Sequence, residues 1–496
     1  MSLSQVNNLL ATLSKVSSIL AQQNCSSYVV GGFVRDWLLK RRTADVDIAV
    51  GGNVLDIAQR VAGAVDGEYV VLDEVNKVAR VVIFGDGERW HLDFTSFRGG
   101  IEDDLARRDF SINAMAVELS QMGFGSLPKL IDPFFGEVDL RAGVLRAVSE
   151  HIFEEDAVRL LRAVRLAAEL GFKIEGKTES LIRLHRQLIA AVPGERVREE
   201  LLRLLALPQA SGFLRYLDEL GLLLGIIPEL AEMKGAEQPK EHFWDVFDHS
   251  VETVATVELL LRQSTWRYGG EEILATVPWS EEIRRHFSEE VSSGSSRGIL
   301  LKLGGLLHDI AKPKMKTIGG EGKMHFYGHT KEGAVMVQPI LKRLRFSSRE
   351  IRLVESLVYH HLRPAQMTDN DLPTHRAIYR YFRDAEGNGI DILFLALADY
   401  LATQGPRLDM GEWRQHCHLI NYILEEHSRQ QIQVLPAKLV DGHDLMNIFG
   451  LSPGPLIGKL LTMAREAQAN GELNTREEAL AFVGKELSRH KTEAVN

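Results

Sequence analysis

Asp45 and Asp47 stand two apart in the run Thr43-Ala44-Asp45-Val46-Asp47-Ile48-Ala49-Val50. The β-branched residues around them predict a strand, and a strand sends residues i and i+2 to one face. Two carboxylates placed that way can share Mg²⁺ ions, which lower the pKa of an attacking hydroxyl and neutralise charge on a transferring phosphoryl group. Asp93, in His91-Leu92-Asp93-Phe94, is the natural third carboxylate if its strand lies beside the first. Upstream, Gly31-Gly32 lets the backbone approach a triphosphate. The amides at the next helix start face anionic oxygens there, and Arg35 supplies charge.

A second arrangement bears on base choice. In Glu154-Glu155-Asp156-Ala157-Val158-Arg159-Leu160-Leu161-Arg162-Ala163-Val164-Arg165, the residues Asp156, Arg159, Arg162 and Arg165 recur every three positions, which predicts one polar stripe on a helix. Asp156 can accept from the exocyclic amine of cytosine or adenine. Arg159 can donate to N3 of cytosine or N1 of adenine, whereas guanine and uracil present the opposite pattern. A third set, His249, His308-Asp309, His329, His360-His361 and Asp399, offers imidazole and carboxylate ligands suited to borderline divalent ions.

The elements that must position these residues change along the chain. Tyr28 to Val30, Val46 to Val50, Val78 to Phe84 and Trp90 to Thr95 read as strands, with a short helix from Val34 to Lys40. After Ser149 the texture becomes helical, as in Leu160, Leu161, Val164, Ala167 and Ala168. The expected organisation is an α+β head over 1–148, a helical neck with the base-selecting helix over 149–235, a metal-binding domain over 236–430 and a helical tail over 431–496, its last helical segment starting near Leu435.

Composition excludes several classes. At 496 residues with 45% hydrophobic and 25% charged residues, the chain can bury more than one core and is not disordered. Cys25 and Cys417 are the only cysteines, so a disulfide framework and a Cys-based zinc site are excluded, and a reducing cytoplasm is expected. Met1 to Ser27 lacks an export signal, and Leu222 to Ile227 is typical of apolar runs too short to cross a bilayer. No membrane and no protein partner are implied. A net charge of −10 argues against coating nucleic acid by bulk attraction but leaves a local basic face open.

Gly31-Gly32-Phe33-Val34-Arg35-Asp36, then Asp45-x-Asp47, then Arg107-Arg108-Asp109-Phe110-Ser111-Ile112-Asn113-Ala114-Met115-Ala116 together resemble the bacterial tRNA nucleotidyltransferase and poly(A) polymerase family. The resemblance implies a DNA-polymerase-beta-like head in which Asp45 and Asp47 bind the metals. It also implies that Gly32, Arg35, Arg107, Arg108, Asp109 and Asn113 contact an incoming CTP or ATP, and that the polymer extended is the 3′ end of tRNA. The stripe at Asp156 matches the family's Glu-Asp-x-x-Arg motif, with Leu166 where members commonly have Phe. Gly194-Glu195-Arg196-Val197-Arg198-Glu199-Glu200-Leu201-Leu202-Arg203-Leu204-Leu205 resembles the family's neck helix, a supporting element. The connection from Thr95-Ser96-Phe97-Arg98 to Arg107 is short. Relatives that add the complete CCA end carry a longer loop there, associated with the switch from CTP to ATP, so a C-adding specialist is an expectation beside full CCA addition.

The middle region resembles the HD phosphohydrolase superfamily through Asp248-His249-Ser250, Leu307-His308-Asp309-Ile310-Ala311-Lys312, His325-Phe326-Tyr327-Gly328-His329 and His361-Leu362-Arg363-Pro364. That implies a core quartet of His249, His308, Asp309 and Asp399 around a divalent transition metal, and hydrolysis of phosphoesters. Leu439 to Met446 and Gly450 to Gly458, with Gly471 and Glu477-Glu478-Ala479-Leu480, resemble the family's C-terminal region, where amides at a Pro/Gly turn can hold RNA phosphate. The competing expectations are a poly(A) polymerase, against which the acidic balance speaks, and an HD phosphohydrolase with a degenerate head, which the intact Asp45/Asp47 pair disfavours.

Overall fold

The structure is a computed structural model that describes residues 3–85, 88–97, 99–122, 129–320, 323–367, 372–432, 438–469 and 472–493. Arg98, Leu435 and Gly471 lie outside the described residues. The chain divides into two compact units, one of Met1–Leu204 with Tyr216–Ile226 and one of Leu205–Arg215 with Ile227–Asn496.

The first unit carries a sheet of β1 (Ser27–Val30), β2 (Asp45–Val50), β3 (Glu68–Asp73), β4 (Val78–Gly85), β5 (Glu88–Ser96), β6 (Ala116–Glu118) and β7 (Leu130–Ile131), ordered β3-β4-β5-β2-β1-β6-β7. β2 and β5 run parallel, with Asp45 opposite His91 and Asp47 opposite Asp93. The other neighbours in this sheet are antiparallel. Pleating puts Val46, Ile48 and Val50 of β2 in the core, and Asp45 and Asp47 on the other face. Farther along that second face, Ala49 joins Val30, Ile101, Leu105, Ala114 and Ala116 in an apolar cluster, which stops the carboxylate end from being flooded on all sides.

Helices α1 (Leu3–Ala21), α2 (Gly32–Leu38) and α3 (Val54–Val65) flank this sheet. α3 buries Val54, Ile57, Ala58, Val61 and Ala62, one face of a 3.6-residue repeat, and ends at Asp66 in the left-handed region. The rest of the unit is mostly helical, with α4 (Ile101–Leu105), α5 (Gly136–Ala142), α6 (Ile152–Glu155), α7 (Arg159–Leu170), α8 (Gly176–His185) and α9 (Gly194–Leu205), and one small parallel pair of strands, Val144–Leu145 with Lys173–Ile174. One expectation needs correction. The spacing from Glu154 to Arg165 predicts a continuous helix, but α6 stops at Glu155, Asp156 is extended with φ −151°, and α7 starts at Arg159. Asp156 instead accepts from the Val158 amide at 3.3 Å, the local bonding that draws Asp to helix starts rather than helix interiors.

The second unit is built of helices. After α10 (Ala210–Glu219), which straddles the division, and α11 (Leu223–Ile226), which belongs to the first unit, come α12 (Val246–Leu260), α13 (Glu271–Leu274), α14 (Glu281–Ser288), α15 (Arg297–Leu307), α16 (Lys312–Met315), α17 (His329–Arg343), α18 (Ser348–His360), α19 (Arg363–Gln366), α20 (His375–Asp384), α21 (Gly389–Gln404) and α22 (Met410–Ile432). α12, α15 and α21 are buried on nearly every side and pack on one another, with α18 against α15. Their approach is close: a Cβ on Gly304 would meet Leu357 Cδ1 at 2.5 Å. A short hairpin, Glu290–Ser292 with Ser295–Ser296, leads into α15. α23 (Gly442–Phe449), α24 (Pro455–Ala469) and α25 (Arg476–Glu493) share an apolar cluster of Leu445, Leu460, Val483 and their neighbours. Both cysteines are free, and no helix among the described residues is long and apolar enough to cross a membrane.

Candidate active site and metal centre

Parallel pairing of β2 with β5 brings together Asp45, Asp47 and Asp93, the three carboxylates picked out by sequence. Asp45 Oδ1 meets His91 Nδ1 at 2.8 Å, and both oxygens of Asp93 accept from Arg80, at 2.7 and 2.8 Å. Burial pushes the Asp47 carboxyl above its usual value. Arg108 opposes that rise, while Asp93 and Asp45 add to it. Three acids pressed together in this way are a site that a divalent cation relieves, which fits the Mg²⁺ expectation.

The glycine turn sits against this cluster. Gly31 has φ +70°, and a Cβ on it would lie 3.0 Å from Asp47 Oδ2 and 2.6 Å from the Arg108 guanidinium. Arg108 also donates to Asp104 at 3.2 Å through Nε and NH2. Arg35, expected to face phosphate, is buried; it donates to both Asp36 oxygens at 2.9 Å and to Asn113 Oδ1 at 2.8 Å. Its charge is therefore held within the fold beside the turn, and Arg108 is the guanidinium that stands over Gly31.

From Asn113 a chain of polar contacts continues into the helices. Asn113 Nδ2 donates to Asp109 Oδ1 at 3.1 Å, and Arg162 donates to Asp109 Oδ2 at 3.2 Å. Glu200 accepts from Arg162 at 3.1 Å and from Arg165 at 2.5 Å. Burial works against the Arg162 charge, yet the Asp109 and Glu200 carboxylates hold its pKa above the ordinary value. Arg159 donates to the carbonyl of Arg107 at 2.8 Å, and to Ile152 O and Glu155 at 3.2 Å. The start of α7 therefore hooks onto Arg107, whose neighbour Arg108 lies against Gly31 and Asp47. The stripe is not one open face: Asp156 and Arg159 stand at its start, Arg162 is shared inward, and Arg165 is a buried brace.

Sequence reasoning missed the partners that fix these groups. Arg80 and His91 lie across strand pairs, and Arg196 and Glu200 come from α9, which was expected only to support; nothing in the local pattern names their targets. Arg196 grips Asp156 from 40 residues away.

In the second unit, the six residues expected as ligands converge. His249 lies in α12, His308-Asp309 follow α15, His329 opens α17, His361 follows α18 and Asp399 lies in α21. His249 Nε2 is 3.2 Å from His308 Nε2, 3.5 Å from Asp309 Oδ2 and 3.0 Å from Asp399 Oδ1. On the other side, Asp309 Oδ1 is 3.4 Å from His329 Nε2 and 3.7 Å from His361 Nε2. The rings of His308, His329 and His361 turn Nδ1 to the carbonyls of Gly305, Phe326 and Val358 at 2.8, 2.7 and 2.8 Å, leaving Nε2 inward, the orientation metal-ligating imidazoles take. Asp309 Oδ1 and His329 Nε2 are buried without hydrogen-bond partners. Burial drives the His361 imidazole down to about 3; it would lower His308 too, but Asp309 and Asp399 raise that ring to about 10. A cation held among these atoms would balance the Asp309 and Asp399 carboxylates that raise the His308 ring. His360, beside His361 in the sequence, is not in these metal-capable groups. Lys312 Nζ stands 2.7 Å from Asp309 Oδ2.

Comparison with known proteins agrees with this layout. Residues 27–146 match the poly A polymerase head domain, 171–234 the probable RNA and SrmB-binding site of polymerase A, 246–404 the HD domain, and 326–483 the putative tRNA nucleotidyltransferase domain 2. The chain is 33% identical over 461 residues to the A-adding tRNA nucleotidyltransferase of Deinococcus radiodurans, covering 92% of this chain and 94% of that protein. It is 32% identical over 468 residues to the CC-adding tRNA nucleotidyltransferase of Thermus thermophilus, covering 92% and 93%. A solved CCA-adding enzyme in complex with CTP shares the fold, with TM-score 0.62, 24% identity and coverage of 97% of this chain and 95% of that one. Matched from end to end by relatives of this kind, the chain belongs to the tRNA nucleotidyltransferase and poly(A) polymerase family, with an HD domain in its second half.

Proposed function

We propose that this protein transfers CMP from CTP to the 3′ end of tRNA without a nucleic-acid template and stops after two C residues. The observation that carries the choice of C is α4. Between β5 and Arg107 the chain folds into this short helix, and Ile101 and Leu105 are buried in the cluster of Val30, Ala49, Ala114 and Ala116. A segment anchored by its apolar side chains has no free length with which to reshape the pocket for ATP. The A-adding relative at 33% identity favours a second reading, terminal A addition to tRNA already ending in CC.

Asp45 and Asp47 hold Mg²⁺ from one strand face, with Asp45 oriented by His91 and Asp93 fixed beside them by Arg80. Bound Mg²⁺ lowers the pKa of the RNA 3′-hydroxyl and offsets charge on the transferring phosphoryl group. Gly31 and Gly32 let the triphosphate approach the backbone, and Arg107 and Arg108 face it. Arg35, Asn113, Asp109, Arg162 and Arg165 hold that wall to α7. Asp156 accepts from the amine of cytosine, while Arg159 donates to N3.

In the second unit, His249, His308, Asp309, His329, His361 and Asp399 would hold a divalent transition metal, which would supply the Lewis acidity for phosphoester hydrolysis there. The setting is the cytoplasm, where Cys25 and Cys417 stay reduced.

The test is product length on a gel. With tRNA lacking its last three residues, CTP alone should extend the chain by two, and ATP should add nothing to that product. Efficient addition of A to tRNA ending in CC, with no use of CTP, selects the second reading.

A further inference from the structure

Helix α9 touches α7 and the extended residue Asp156 just before it through two residues one turn apart. Glu200, 6% exposed, accepts from Arg162 and Arg165. Arg196 sets its guanidinium edge-on to Asp156, NH1 at 2.9 Å from Oδ1 and NH2 at 2.8 Å from Oδ2. The extended backbone at Asp156 leaves the carboxylate without the cover of a helical turn, so this fork is its main support.

We infer that Arg196 is a specificity-determining positioning residue, which grips both oxygens of Asp156 and keeps that carboxylate an acceptor-only group facing the base. The inference rests on Asp156 reading the base, as proposed above. A planar guanidinium takes one lone pair from each oxygen and fixes the plane of the carboxylate, leaving other lone pairs open. The amine of cytosine donates to one of them. Uracil brings a carbonyl oxygen to the same place, where two acceptors repel and neither is satisfied.

A protonated carboxyl would lose that distinction, because its O–H can donate to the uracil carbonyl. Burial pushes the Asp156 carboxyl up, and Arg196 overcomes this and holds it below the usual carboxylate range, helped by the Val158 amide and by Arg159. The charged groups facing Asp156 are thus Arg196 from α9 and Arg159 from α7. Without Arg196, the burial remains and only the Val158 amide and Arg159 oppose it, so protonation, and with it acceptance of UTP, grows as pH falls.

The experiment uses the full chain and tRNA lacking CCA, with single-turnover addition from CTP and from UTP measured from about pH 8 down to about pH 5, toward the range where an Asp carboxyl takes up its proton. Arg196→Ala should narrow the preference for CTP by about tenfold. Its use of UTP should climb toward low pH, while the unsubstituted protein keeps a flat ratio. Arg196→Lys, a point charge that cannot span both oxygens, should fall between the two. CTP and UTP addition reduced alike, with a ratio that pH does not move, overturns the inference. If Arg196→Ala does not fold by thermal melting, Arg196→Lys and Arg196→Gln carry the same comparison. Asp156→Asn separates the two levels. An unchanged CTP-to-UTP ratio there removes Asp156 as the base reader. A changed ratio there, with unchanged ratios in the Arg196 variants, removes the role of Arg196 alone.

Discussion

Gly31 lies so close to Asp47 that a methyl group on its Cα would sit 3.0 Å from the carboxylate oxygen Oδ2. The same methyl would press to 2.6 Å on Arg108, at a backbone φ of +70°. The turn and the carboxylate strand are therefore one constructed surface. Gly31→Ala should lower nucleotide addition by about a hundredfold through misplacement of Asp47 and Arg108. It should cost about 1–2 kcal/mol of stability from backbone strain. Single-turnover rates and denaturant midpoints check both; a variant with ordinary activity removes the turn from the site.

Glu200 is the buried carboxylate on which Arg162 and Arg165 converge. Its removal leaves Arg165, itself 7% exposed, paired only with Glu169. Glu200→Ala should cost about 3–5 kcal/mol, the range for breaking a buried ion pair by losing one partner. A urea titration followed by far-UV circular dichroism measures it, and an unshifted midpoint would show that the network does not brace α7.

The parts of the site that depend on local geometry were legible in the sequence. Asp45 and Asp47 share a face because strands alternate, and Gly31 needs a conformation that glycine adopts easily. Asp93 required knowing that β5 inserts beside β2 although β3 and β4 lie between them in the chain, a long-range pairing that no window of residues contains. The three-residue spacing from Asp156 to Arg165 looked like an unbroken helix because periodicity does not register a competing hydrogen bond to a side chain. Asp156 took that bond and left the helix. The HD residues announced their chemistry by type, but their meeting depends on how five helices pack, and Lys312 beside Asp309 emerges only from that packing.

Glu466 of α24 gives a pH prediction. It is 3% exposed and accepts from Arg380 at 2.7 and 3.0 Å, from Arg376 at 3.4 Å and from Arg383. Burial raises its pKa, but the Arg380 and Arg383 guanidiniums outweigh burial and hold it below the usual value of 4.5. A depressed folded pKa means the stabilisation is fully present above the unfolded value and is lost as pH falls through the folded one. Protection of α24 amides from hydrogen exchange should thus weaken on acidification below about pH 4.5, and Glu466→Gln should remove that acid-sensitive part. Equal acid sensitivity in the variant would contradict the linkage.

The centre around Asp309 should bind a divalent metal. Inductively coupled plasma measurements after gel filtration should find bound metal in the unsubstituted chain and almost none in Asp309→Ala. Phosphoester hydrolysis should survive Asp45→Ala and disappear in His308→Ala and Asp309→Ala. If hydrolysis is lost in Asp45→Ala as well, the two sites are not separate.

The most direct test of the nucleotidyl-transfer site is the rate at which Asp47→Asn adds the first C to tRNA in a single turnover with saturating CTP and Mg²⁺. Loss of a metal-holding carboxylate should slow that step by about a thousandfold or more, with the protein still folded. Addition at close to the unsubstituted rate would mean that the reaction takes place somewhere other than the face shared by Asp45 and Asp47.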